Sequence, residues 1–90
     1  MKKTTRQLER IIKGIANHRR LQILGLLKKE PELSVQEVSD KVKSDIKNIS
    51  SHINKMAISG LVMKRSDGKS IRHKLTNRGK HILTFVRMIE

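Results

Sequence analysis

Apolar residues fall along the chain in five helical patterns and one alternating stretch. Leu8, Ile11, Ile12 and Ile15 recur at i, i+3, i+4 and i+7, which puts a single apolar stripe on a first helix whose other faces carry Arg6, Arg10 and Lys13. Asn17 is placed to cap a second helix. There Leu21, Ile23, Leu24, Leu26 and Leu27 cover most of the circumference, so this helix is expected to form the buried centre. Lys28 to Glu32, with the only proline at Pro31, interrupts the pattern. Leu33-Ser34-Val35-Gln36-Glu37-Val38 then carries a start signal. The Ser34 hydroxyl can accept from the amide of Glu37, the Glu37 carboxylate can accept from the amide of Ser34, and Leu33 can staple onto Val38. A short third helix follows, ending near Val42 or Lys43.

Asp45 is placed to cap a fourth helix over about 46–59. Its inward face is Ile49, Ile53 and Met56, with Ile46 and Ala57 at the margin. At about 100° per residue, Lys47, Ser51 and Asn54 project opposite that face, flanked by Asn48 and Lys55 on one side and Ser50 on the other. Gly60 ends the helix. Leu61-Val62-Met63-Lys64-Arg65 and Ile71-Arg72-His73-Lys74-Leu75 read as two strands around Ser66-Asp67-Gly68-Lys69, Asp-Gly being a strong hairpin signal. The alternation leaves their register open. Thr76 caps a last helix over about 77–89, with a second isolated stripe of Ile82, Phe85, Val86 and Ile89. The predicted fold is mainly α with a small β-hairpin, one domain over residues 1–90, with Met56 and Met63 assigned to its core.

Charge changes the picture. The 90 residues hold 21 Lys plus Arg against 8 Asp plus Glu, a net +13, and a chain so charged repels itself without an anionic partner. Between Ile46 and Ile89 the only acid is Asp67, whereas the earlier half sets Glu9, Glu30, Glu32, Glu37, Asp40 and Asp45 against its cations. Nucleic acid is the partner that fits best. With no cysteine there is neither a disulfide framework nor a thiolate zinc site. No apolar run is long enough to span a membrane, and Met1-Lys2-Lys3 leads into polar Thr4 and Thr5 instead of a signal-peptide core, so a cytoplasmic location is expected. A membrane-surface role would need bulky apolar anchors, and Phe85 is the lone aromatic. No cysteine nucleophile, carboxylate pair or Ser/His/Asp set shares a location, so an enzyme is not expected.

A short helix, a three-residue turn, a helix with a small polar outer face and a basic hairpin form a helix-turn-helix over about 34–59 with a wing over about 61–75. The chain resembles the ArsR-type winged-helix repressors over nearly its whole length. Ala16-Asn17-His18-Arg19-Arg20-Leu21-Gln22-Ile23-Leu24 is similar to the lead into the second helix. Glu32-Leu33-Ser34-Val35-Gln36-Glu37-Val38 is similar to the opening of the third. Asn48-Ile49-Ser50-Ser51-His52-Ile53-Asn54-Lys55-Met56 resembles the recognition helix, and Ser59-Gly60-Leu61-Val62 follows it. Lys43 and Ser44 stand where the family's turn usually has Gly and an apolar residue, and Leu75-Thr76-Asn77-Arg78-Gly79 is similar to the segment after the wing in MarR-type regulators. Metal-responsive members carry two cysteines where this chain has Ser34 and Gln36. Others use paired His and carboxylates on the last helices, where this chain has Arg78, Lys80, a lone His81 and Glu90. No metal and no cofactor is expected.

The resemblance implies double-stranded DNA as partner. Lys47, Asn48, Ser50, Ser51, Asn54 and Lys55 are the expected readers, and Arg65, Lys69 and Arg72 the expected wing contacts, some of them divided between base-edge and phosphate roles. Asp67 is assigned to the turn conformation. His52 is either a partly buried structural histidine or a phosphate contact. Arg20 either anchors the second helix or reaches a phosphate. His18, His73 and His81 have no assigned partner. The two terminal stripes, Leu8, Ile11, Ile12 and Ile15 with Ile82, Phe85, Val86 and Ile89, could pack on each other within a chain. The resemblance implies instead that they build a homodimer interface, and a chain this short, burying about 60–65% of its extended surface, gains from association. The expected function is a homodimeric repressor at a pseudo-palindromic site. The alternatives are a weakly specific architectural or mobile-element DNA-binding protein and a winged-helix interaction module.

Overall fold

In the computed structural model, which describes residues 2–89, the elements run α1 (Thr5–Ile15), α2 (His18–Lys29), α3 (Val35–Val42), α4 (Ile46–Ile58), β1 (Val62–Ser66), β2 (Ile71–Leu75) and α5 (Asn77–Met88). Each expected cap is present. Asn17 accepts from the amides of Arg19 and Arg20 (2.8 and 3.2 Å), Asp45 from Lys47 and Asn48 (3.1 and 3.2 Å), and Thr76 from Gly79 (3.0 Å). The Ser34–Glu37 pair forms the reciprocal box, at 3.2 and 2.9 Å. Thr4 and Gln7 make a second such box that the sequence reading missed. Caps of this kind are each worth about 1 kcal/mol because they satisfy amides that have no partner within the helix.

The core gathers around α2, which packs against the other four helices and β2. Ile23, Leu24 and Leu27 meet Val38 of α3, Ile49, Ile53 and Met56 of α4, and Leu61, Val62 and Leu75 around the hairpin, all at 8% exposure or less. Two core assignments are corrected. Leu21 is 38% exposed, because the first turn of α2 starts at the surface. Met63 is 43% exposed, because the register pairs it with Lys74 on the outer face of the hairpin, while Val62 and Leu75 pair on the core face.

Antiparallel pairing runs from Val62↔Leu75 to Ser66↔Ile71. The first strand starts one residue later than expected. Leu61 closes α4 instead, donating to the Met56 carbonyl (2.9 Å) and accepting from the Thr76 amide (3.1 Å). A third backbone segment joins the sheet unforeseen: Leu33 bridges His73, with Glu32 N donating to His73 O and His73 N to Leu33 O, both 2.9 Å. The segment after Pro31 thus ties the hairpin to the start of α3. At the turn between α3 and α4, Lys43 adopts the left-handed conformation that favours glycine (φ 54°). A side chain there costs about 1–2 kcal/mol. The turn is held by the Ser44 amide on Ser39 O (3.1 Å) and the Ser39 hydroxyl on Ser44 O.

Candidate nucleic-acid interface

Helix α4 divides as its sequence period requires. Ile49, Ile53 and Met56 are fully buried, while Lys47, Asn48, Ser51, Asn54 and Lys55 are exposed and Ser50 is half-buried at the margin. The outer face therefore carries hydroxyls, amides and two ammonium groups, with little bulk. A hydrogen bond from Lys64 Nζ to Asn54 Oδ1 fastens this face to β1. Helix and hairpin thus form one continuous polar surface.

The hairpin cations differ in how far they are committed. Lys69 stands at the tip with its side chain exposed, its own amide donating to Asp67 Oδ1 (2.9 Å). Asp67 also accepts from the Ser70 amide (2.8 Å) and from Arg72 Nε (3.0 Å), so its carboxylate builds the turn as expected. Those two backbone donors, then the guanidinium, hold its pKa far below the usual carboxylate range. Arg72, a predicted wing contact, is only half-exposed. Besides Asp67 it reaches Glu37 Oε1 (3.0 Å) and the Glu32 carbonyl (3.2 Å). Arg65 pairs with the Glu32 carboxylate at 3.2 and 3.3 Å. Glu37 sits below its ordinary pKa, chiefly through the Ser34 amide, then the Ser34 side chain, with Arg72 adding a smaller effect. Two acids of the first half, Glu32 and Glu37, are thereby used to orient the wing against α3, a function that charge counting cannot reveal.

Arg20 anchors rather than reaches outward. Its Nε donates to His52 Nδ1 (3.1 Å) and its Nη1 to the Lys13 carbonyl at the end of α1 (3.0 Å). Arg19 likewise ties α2 to the Val42 carbonyl (3.2 Å). These bonds set the tilt of α4 against α1, α2 and α3. His52 is the partly buried histidine of the two readings, and burial followed by the Arg20 charge lowers its pKa. His73, which had no assigned partner, is almost wholly buried with Nδ1 2.9 Å from the Leu33 carbonyl. A carbonyl only accepts, so Nδ1 carries the proton. Desolvation lowers this pKa too, against a smaller raising effect of Leu33. Its position two residues before Leu75 on one strand face was the signal available.

The two histidines set a pH dependence. Each has a folded pKa below its unfolded value, so the unfolded chain takes up more protons as pH falls below about 6.5. Their contribution to stability is complete above that pH and declines beneath it. Glu37 and Asp67, shifted down, keep theirs until below about pH 4.5. Thermal midpoints should therefore fall between pH 7.5 and 5.5, with equal midpoints contradicting the neutral-histidine assignment.

Apolar side chains stand outward at the two ends of the chain. Leu8 and Ile12 on α1, Phe85 on α5 and Ile89 just after it are all more than half exposed, joined by Met88 and by Ile58 of α4, which the sequence pattern did not single out. Ile11, Ile82 and Val86 are half-buried against the core. Ile15 departs from its predicted place: at 8% exposure it belongs to the core, since the last turn of α1 tucks under α4. Helices α1 and α5 pack on α2 and share no extensive face with one another. Among the described residues no three His, Cys, Asp or Glu side chains gather as a metal site would require, and no helix is long and apolar enough to cross a membrane.

Comparison with known proteins places this geometry. The family model HVO_A0114 matches residues 15–78. The transcriptional activator HlyU of Vibrio cholerae is 32% identical over 77 residues, 86% of this chain and 70% of the relative. Its solved structure superposes with a TM-score of 0.82 at 29% identity, covering 99% of this chain and 97% of that one. The homodimeric winged helix-turn-helix DNA-binding domain of a possible ArsR-family transcriptional regulator from Mycobacterium bovis gives a TM-score of 0.84 at 26% identity, over 92% of this chain and 77% of that one. NolR from Sinorhizobium fredii gives 0.83 at 26% identity, over 99% and 96%.

Proposed function

The chain belongs to the HVO_A0114 family and to the ArsR-type winged helix-turn-helix transcriptional regulators, and from that premise we propose that it binds duplex DNA as a homodimer at a pseudo-palindromic site. The observation that carries the proposal is the exposed, small, polar face of α4, fastened through Asn54 and Lys64 to a cationic hairpin. Lys47, Asn48, Ser51 and Asn54 meet base edges in the major groove, with Ser50 and Lys55 at its margins on base or phosphate. Lys69 at the tip and Arg65 behind it reach the flanking backbone. Arg72 contributes mainly by holding the hairpin at its angle. The exposed stripe of Leu8, Ile12, Phe85 and Ile89, extended by half-buried Ile11, Ile82 and Val86, forms the subunit interface. A two-fold dimer then sets two α4 helices about 34 Å apart, one turn of the duplex.

The regulator acts most simply by occluding a promoter; the relative HlyU is described as an activator, and the position of the bound site decides the sign. Titration of a duplex selected from a random pool, against random duplex at one salt concentration, tests the reading. A specificity ratio of about 10³ or more is expected. A ratio near unity would assign the chain to architectural binding, and no affinity at low salt to a protein-interaction role. Sedimentation at micromolar concentration should give the dimer, and a monomer alone would remove the interface.

A further inference from the structure

A cleft of about 380 Å³ opens at the root of the hairpin, away from α4, between the end of α2, the outer face of the two strands and the start of α5. Leu27, Pro31 and Met63 supply apolar lining, beside polar Thr76 and Asn77. Lys28, Lys74 and Lys80 line it as well. Among the described residues none of these three lysines has a carboxylate partner, whereas the acids on either side of Pro31 are committed elsewhere: Glu30 to Lys41 at 3.0 Å and Glu32 to Arg65 at 3.2 Å. Three cations around exposed apolar surface repel one another, and an occupant that is negative at one end and apolar at the other relieves both costs. The volume lies within the range of small-molecule sites. Met63, facing outward on the hairpin, has no role in the core and supplies an adaptable apolar wall.

We propose that this cleft binds a small amphipathic organic anion, an apolar body bearing one carboxylate, with Lys28, Lys74 and Lys80 taking the charge and Met63 and Pro31 the body. An occupant touches the hairpin, α2 and α5 together and so fixes the hairpin's angle to the rest of the domain. Where the DNA reading holds, that makes the cleft an effector site; the binding claim itself stands apart from that reading.

The test titrates the free ¹⁵N-labelled chain, without DNA, with octanoate below its micellar concentration, with octanamide and with inorganic phosphate. The chain has no Trp or Tyr to report by fluorescence, so amide shifts are the readout. Octanoate should give saturable shifts at Lys28, Met63, Lys74 and Asn77, with octanamide and phosphate each at least tenfold weaker. Lys74→Gln with Lys80→Gln should weaken octanoate at least tenfold at an unchanged thermal midpoint. Met63→Ser should weaken octanoate and leave phosphate unchanged, which keeps the test independent of charge. Equal binding of octanamide, equal binding of phosphate, shifts centred on Leu8 and Phe85, or undiminished affinity in the variants would each overturn the proposal. Such a failure would leave the DNA reading untouched, because no DNA is present.

Discussion

Lys47→Ala combined with Asn54→Ala should lower affinity for the selected duplex by about a hundredfold, while affinity for random duplex falls only several-fold. Each paired contact to a base edge is worth about 1–3 kcal/mol of discrimination, and 1.4 kcal/mol is a factor of ten. Loss of one lysine also removes one phosphate-attracting charge, which weakens binding to every sequence alike. Both side chains are exposed and point away from Ile49, Ile53 and Met56, so folding should be unaffected. The bond that Asn54 accepts from Lys64 joins exposed groups and contributes little to stability. Circular dichroism and the thermal midpoint of the variant check this. An equal loss on both duplexes would mean that the outer face of α4 is an electrostatic surface and reads no bases.

Gly79→Ala should destabilise the domain by about 3 kcal/mol, the upper end of what overpacking usually costs. A Cβ built there would sit 2.2 Å from the Leu61 carbonyl oxygen and 3.4 Å from Leu75 Cβ. Backbone cannot rotate aside as a side chain can. The same carbonyl accepts from Thr76 N, and the Thr76 hydroxyl caps α5 on Gly79 N while donating to Gly60 O. The start of α5 is thus pressed onto the link between α4 and β1, and any shift there moves the hairpin. The thermal midpoint should fall by roughly 10–20 °C, given about 4–8 °C per kcal/mol in a domain of this size. Gly25→Ala is the internal control. Nothing lies within 4 Å of its Cβ position, it is inside α2, and alanine is the better helix former by about 1 kcal/mol, so the midpoint should rise. A neutral result at Gly79 would mean that α5 docks less tightly than described.

How much was readable from residue order alone follows from the range of the interactions concerned. Caps at Asn17, Ser34, Asp45 and Thr76 act within three residues, and the face of α4 follows from a fixed angular period; both were correctly placed. The hairpin turn was placed too, because Asp67 bonds to amides two and three residues ahead. What failed was long-range. The Leu33–His73 bridge joins residues forty positions apart, and without it neither the register nor the burial of His73 could be known. Met63 was assigned to the core because its type is apolar, but a one-residue change of register reverses the face of every strand residue. Ile15 fits the stripe of α1 by spacing, yet the end of α1 reaches the core while Leu8 and Ile12 do not. Arg72 was expected as a wing contact from its place on the returning strand, an expectation that did not include its intramolecular ties. Its carboxylate partners Glu37 and Asp67 lie thirty-five and five positions away.

Chemical interference probes the docking of α4 most directly. The selected duplex is methylated sparsely at guanine N7, an atom that lies in the major groove, then divided into bound and free fractions. With α4 in the groove, methylation within each of two half-sites, about 10 base pairs apart centre to centre, should exclude the duplex from the bound fraction. Lys47→Ala should remove that exclusion at one guanine of each half-site if lysine pairs there. Bound and free fractions with identical methylation patterns would contradict the account, because the small polar side of α4 would then be facing something other than the bases.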